Sequence, residues 1–103
     1  MRQIALCDAI KARHIVRFYY AGMKEPGYRT VEPYMVAYNQ ADNLTLSAWY
    51  LSGASESQGG PGWRKYLLSE IGQVTDLGEQ FDGFRPGYEP GGGKTFHNVQ
   101  CAV

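Results

Sequence analysis

Between Leu44 and Gly53 the chain reads Leu-Thr-Leu-Ser-Ala-Trp-Tyr-Leu-Ser-Gly. Branched and aromatic residues in a short run predict a strand. Side chains alternate along a strand, so Leu44, Leu46, Ala48 and Tyr50 share one side while Trp49 and Leu51 take the other. Both sides are apolar, which predicts a central strand covered on both faces or a bulge that switches the faces midway.

The same patterning extends along most of the chain. Residues 3–13 place Leu6, Ala9, Ile10 and Arg13 at three- and four-residue spacing without Gly or Pro, so they predict a short amphipathic helix. About eleven residues are marginal as an isolated helix, so this one must pack against something. Residues 14–20 switch to period two, with Val16, Phe18 and Tyr20 opposite Ile15, Arg17 and Tyr19. Residues 21–27 have the Gly and Pro content of a hairpin loop. A second strand over 28–38 puts Arg29, Val31, Pro33, Met35 and Ala37 on one side. Pro33 donates no ladder bond, so that strand lies at an edge or bends there, and a bend suits a small barrel.

Residues 39–43 form a polar turn, and 52–62, rich in Gly and Ser, predict a mobile loop. A fourth strand covers 63–68 and a fifth 71–77, with Gly72 marking the bend between them. Residues 82–95 hold five glycines and two prolines, the composition of a linker. Apolar alternation returns at Val99, Cys101 and Val103. The tail therefore either stays disordered or adds a strand to an open edge, in its own molecule or in a neighbour's to give a homodimer. The expected organisation is one domain over 1–81 followed by the linker and tail of 82–103.

Ten basic and ten acidic residues cancel, so bulk charge selects no polyanionic partner. The distribution is uneven. Residues 1–29 hold six basic against two acidic groups, and residues 30–81 reverse those numbers. This predicts either a basic patch or simply a solvated helix face. No signal-peptide core and no run of transmembrane length occur, so a cytoplasmic protein without membrane contact is expected. Cys7 and Cys101 show no zinc or redox spacing, and the compartment rule argues against a disulfide between them.

The elements in order, with Trp49-Tyr50-Leu51 in the third strand, resemble the WYL domain family, small Sm-like or SH3-type barrels of bacterial regulators. The resemblance runs over residues 6–81. It rests on Ala9-Ile10, on Val16, Phe18 and Tyr20, on Arg29-Thr30-Val31-Glu32-Pro33, on the Trp-Tyr-Leu triplet, and on Arg64-Lys65-Tyr66-Leu67-Leu68 before Ile71. It implies a mainly β fold, a five-stranded SH3/Sm-like β-barrel with an N-terminal α-helix. It also implies a non-enzymatic ligand-binding module in transcription regulation that takes a nucleotide or single-stranded nucleic acid. Family members often carry a winged helix ahead of this domain. This chain has no room for one, so a stand-alone module acting on an effector protein on a separate chain is expected. Where the family has an acidic residue and an Arg before the Ile, this chain has Ser69 and Glu70, which puts a carboxylate where a ligand-holding cation is expected.

The candidate ligand-binding residues are Tyr20, Arg29, Tyr50 and Arg64. Each arginine begins a strand, where a guanidinium can fork onto a phosphate. Each tyrosine can stack on a base. The competing reading makes the tyrosines core residues with satisfied hydroxyls and pairs Arg29 with Glu32 or another carboxylate. Arg17 and Lys65 are secondary candidates, and Trp49 is assigned to the core. No catalytic constellation stands out, no cofactor is implied, and His97 and Cys101 lack the further ligands a metal needs. Gly91-Gly92-Gly93-Lys94-Thr95 fails the phosphate-loop pattern because Tyr88 stands where its first glycine belongs. The alternative function is a protein-interaction or oligomerisation module with a decayed ligand groove.

Overall fold

The computed structural model describes residues 2–22, 26–54, 60–89 and 92–103. The centre of the expected hairpin loop and residues 55–59 of the expected mobile loop lie outside the described residues. Helix α1 (Arg2–Ala12) buries Leu6, Ala9 and Ile10, the stripe expected from their spacing. It stops one residue early because Arg13 turns into the left-handed region at φ 55°. Six strands follow among the described residues: β1 (His14–Tyr20), β2 (Gly27–Asn39), β3 (Leu44–Gly53), β4 (Gly62–Leu67), β5 (Ile71–Gln80) and β6 (Phe96–Ala102).

All ladders are antiparallel, in the order β4-β3-β2-β1-β5, with β6 also paired to β2. The fold is mainly β with one N-terminal helix, as expected, but a closed five-stranded barrel is not shown. β4 and β5 occupy the two ends of the strand order and meet through a 3-10 turn, Leu68–Glu70, not through a ladder. That turn, not Gly72, makes the bend. Gly72 lies inside β5, where a Cβ would stand 3.4 Å from the Tyr19 carbonyl.

β2 is the strand on which the sheet is built. One of its edges takes β1 over 27–31 and then β6 over 35–39, with Pro33 in the gap where no donor is required. Its pairing to β3 skips Tyr34, since Pro33 faces Ala48 and Met35 faces Ser47. This bulge corrects the strict alternation expected for the strand. Val31 and Val36 both reach the helix-side core, while Tyr34 packs on the opposite face. One extra residue moves every later side chain to the other face.

The core therefore has two parts. The larger cluster lies under α1 and contains Val16, Phe18, Tyr20, Val31, Leu46, Ala48, Tyr66 and Ile71. The smaller one gathers Ile15, Tyr34 and Phe81, with Trp49, Leu51, Trp63 and Tyr88 against it. β3 is covered on both faces, its even positions to one cluster and Trp49 and Leu51 to the other.

The segment after Phe81 is not a bare linker. Arg85 reaches back to Glu32 with two hydrogen bonds of 2.9 Å, and its guanidinium lies 4.9 Å from the Trp49 ring. The Trp63 indole donates to the Pro86 carbonyl at 2.6 Å. Glu32 is only 5% exposed, so its carboxylate depends on Arg85 and the Tyr34 hydroxyl. Arg85→Met is expected to cost about 1.5–3 kcal/mol, because a buried charge loses its charged partner. Denaturant unfolding checks this, and Glu32→Gln added to Arg85→Met should recover part of the loss. An unchanged midpoint for Arg85→Met would remove this segment from the fold's energetics.

The two cysteines correct the expectation, drawn from the compartment rule, that they stay unpaired. Cys7 on α1 and Cys101 on β6 form a disulfide, with Cα atoms 5.7 Å apart across 94 residues of sequence. β6 runs back along β2 beside α1, a return that no local pattern announces. No helix among the described residues is long and apolar enough to cross a membrane.

Candidate ligand-binding site

Tyr20, Arg29, Tyr50 and Arg64 lie on β1, β2, β3 and β4, four adjacent strands, and the ladders set them on the helix-side face. Phe18 faces Arg29, Val31 faces Tyr50, and Ala48 faces Arg64, so core residues and candidates share one face. Two arginine–tyrosine pairs result. The Arg29 guanidinium stands 5.6 Å from the Tyr20 ring centre, and that of Arg64 stands 5.2 Å from the Tyr50 ring. Both are within cation–π range.

Tyr66, which the sequence reading passed over as one residue of a motif, joins the pairs. Its ring meets Tyr20 edge-on at 4.9 Å, and both arginines act on its hydroxyl. Burial pushes the Tyr66 pKa up to about 12, with Arg29 and Arg64 pulling the other way. The signal for Tyr66 was available in the alternation, since it stands two residues beyond Arg64 and so shares its face of β4.

The four candidates differ in access. Arg29 is 1% exposed and donates to the Gly27 carbonyl at 2.8 Å. Glu32, one of the carboxylates the competing reading offered it, is held by Arg85 on the far face. Both tyrosine hydroxyls are engaged with backbone. Tyr20 accepts from the Leu67 amide at 3.0 Å, and Tyr50 donates to the Gly53 carbonyl. Gly53 is required there, because a Cβ would lie 2.2 Å from the Tyr28 carbonyl and the residue sits at φ 116°. Arg64 is the half-exposed member. It commits donors to the carbonyls of Trp63 at 3.0 Å and Gly60 at 3.1 Å.

Burial raises the Tyr20 pKa, and the carboxylate of Glu70 adds to the rise. The position that departs from the family pattern thus acts electrostatically on the site. Arg17 and Lys65 do not join the cluster. They project from the other face, Arg17 over Tyr28 at 4.7 Å and Lys65 over Phe96 at 5.8 Å. Trp49 also faces away, half-buried, with its indole nitrogen buried and without a hydrogen-bond partner among the described residues.

Among the described residues no three His, Cys, Asp or Glu side chains come together as metal ligands. His97 lies 2.8 Å from Asp42, and Cys101 is taken up by the disulfide. His14 contacts Asp76 at 3.0 Å, a hydrogen bond that holds the Asp76 carboxyl below its usual range.

No curated protein and no solved structure matches the chain. The model of the WYL domain matches residues 4–76, a span that runs from α1 into β5 and includes all four candidates and Tyr66. With most of its length covered, this chain belongs to the WYL domain family, whose members are ligand-binding regulatory modules of bacterial regulators.

Proposed function

We propose that this domain binds a nucleotide or a short single-stranded nucleic acid at the arginine–tyrosine site and thereby controls an effector protein. The observation that supports this is the convergence of Arg29–Tyr20 and Arg64–Tyr50 on Tyr66 across four neighbouring strands. A guanidinium beside aromatic rings offers charge for a phosphate and a face for a base. In this reading Arg64 meets the phosphate, because it is the more accessible of the two arginines and its guanidinium has donors beyond the two given to Trp63 and Gly60. Arg29 and Tyr20 hold the floor of the site behind it. Glu70 beside Tyr20 limits how much negative charge the site tolerates, which favours one or two phosphates over a long strand.

The test is a titration of a labelled short oligonucleotide, and of single nucleotides, at several salt concentrations. Arg64→Gln is expected to weaken binding and flatten the logarithmic salt slope by about 0.7, the value for one phosphate contact on a single strand. A wild-type slope steeper than about −3 would indicate a broad basic surface instead. Absence of binding at low salt to both probe types would sink the proposal.

A second reading, a protein-interaction module, draws on a different observation. Tyr19 and Tyr28 are 40% and 54% exposed, pack edge-on at 5.4 Å, and carry Arg17 over the Tyr28 ring. Tyrosine and arginine are enriched in the centres of interfaces. Light scattering of wild type and Tyr28→Ser would reveal self-association through this patch.

A further inference from the structure

On the face opposite the arginine–tyrosine site, residues 87–89 and 92–96 border, with β2, β3 and β4, a half-open cavity of about 240 Å³. Its floor follows from the bulge at Tyr34. Met35 is turned to this side beside Ser47, and Ser47 in turn pairs with Lys65 on β4. A small side chain between two long ones leaves the hollow. One wall is the Trp63–Tyr88 pair, nearly parallel at 20° with ring centres 6.0 Å apart. The other is Phe96, with the Lys65 ammonium 5.8 Å from its ring centre.

The walls are held in place before any ligand arrives. Trp63 donates to the Pro86 carbonyl, and the Tyr88 hydroxyl lies 3.4 Å from the carbonyls of both Tyr34 and Val103, with one proton to give to either. At the rim, a Cβ on Gly92 would meet the Phe96 carbonyl at 2.8 Å, and one on Gly93 would meet the Glu89 carboxylate at 2.5 Å. Gly92 has φ 86° and its Cβ would meet backbone, so a side chain is strained there, whereas at Gly93 the flexible Glu89 side chain would have to give way. A cavity with fixed walls binds at lower entropic cost.

Lys65 forms no ion pair among the described residues. Its ammonium lies against the Phe96 ring, and Glu89 is on the same lining. Drug-sized sites occupy about 300–1,000 Å³, so this smaller cavity suits a single substituted ring. Glu89 on the lining disfavours a second negative charge.

We propose that this cavity binds a small planar aromatic monocarboxylate, its ring beside Trp63, Tyr88 and Phe96 and its carboxylate on Lys65. Ser47 and Thr95 supply hydroxyl donors at the floor and rim. The site is separate from the helix-side arginine–tyrosine cluster, and the sheet lies between the two.

The experiment titrates the full chain with benzoate and with indole-3-carboxylate, following amide shifts at Ser47, Lys65 and Gly92. Benzamide serves as the uncharged control and phenyl phosphate as the dianion. Both carboxylates are expected to shift those amides, with each control about tenfold weaker. Lys65→Met keeps the aliphatic stem and should lose about tenfold in carboxylate affinity at an unchanged melting temperature. Ser47→Leu should fill the floor and abolish binding. The proposal is overturned by no shift at millimolar benzoate, by benzamide or phenyl phosphate binding equally well, or by Lys65→Met binding as wild type does. Shifts confined to Tyr50 and Arg64 would also overturn it, because they would place the ligand on the other face.

Discussion

Reducing the Cys7–Cys101 bond is expected to lower the stability of this domain by about 2–5 kcal/mol, the range for loss of a native disulfide in a small domain. The bond closes a loop of 94 residues' separation, nearly the whole chain. For a loop of this length the chain-entropy relation gives about 4.7 kcal/mol, near the top of that range. Domains of this size have roughly 5–15 kcal/mol in all, so the bond is a large part of the total. The melting temperature should fall by roughly 10–30 °C. Thermal unfolding with and without a dithiol reductant checks this, alongside Cys7→Ser/Cys101→Ser, which should match the reduced protein. β6 should loosen first, since its strand is mostly exposed and is held by β2 and the disulfide. A reduced protein with free thiols and an unchanged melting temperature would contradict the result. Disulfides persist in oxidising compartments and are reduced in the cytosol, so the surroundings set which form is populated.

Raising the pH past 10 is expected to destabilise the fold steeply, because Tyr34 and Tyr66 must ionise in its interior. Burial pushes both hydroxyls from 10.0 to about 12. A group whose folded pKa is raised keeps its proton longer in the native state than in the unfolded chain. Its contribution is therefore fully present below pH 10 and lost as the pH rises through about 12. A shift of that size corresponds to roughly 2–3 kcal/mol for each tyrosine. Burial also raises Tyr20 and Tyr88, which act in the same direction. Denaturant midpoints measured from neutral to strongly alkaline pH should decline with a slope that Tyr66→Phe makes shallower. A flat profile to pH 11 would mean that these hydroxyls reach water in the native state.

Helix α1 and strands β1 and β3 were legible in the sequence because their signals are local. Leu6, Ala9 and Ile10 declare a helical stripe, and Val16, Phe18 and Tyr20 declare a strand face, each within one element. The candidate site was legible to the same degree. Arg29 and Arg64 sit near strand starts, Tyr20 and Tyr50 lie on the inner face by parity, and the four come together. Tyr66 obeys the same parity but was read only as one residue of the Arg64–Leu68 motif. The engagement of the tyrosine hydroxyls with Leu67 and Gly53 was not legible, since it depends on which strand lies alongside.

Side-chain period and turn chemistry are properties of a few consecutive residues, and from them the sequence by itself determined the helix, most strands and the inner faces. Only the tertiary structure decided the open sheet, the bulge at Tyr34, the Arg85–Glu32 pair and the Cys7–Cys101 bond. Each of these joins or displaces residues whose partners lie on other elements. Pairing across 53 or 94 positions is set by how the whole chain closes, as with Arg85–Glu32 and Cys7–Cys101. The glycine-rich composition of 82–95 describes freedom in the unfolded chain, and it carries no information about the aromatic face onto which Arg85, Pro86 and Tyr88 fold.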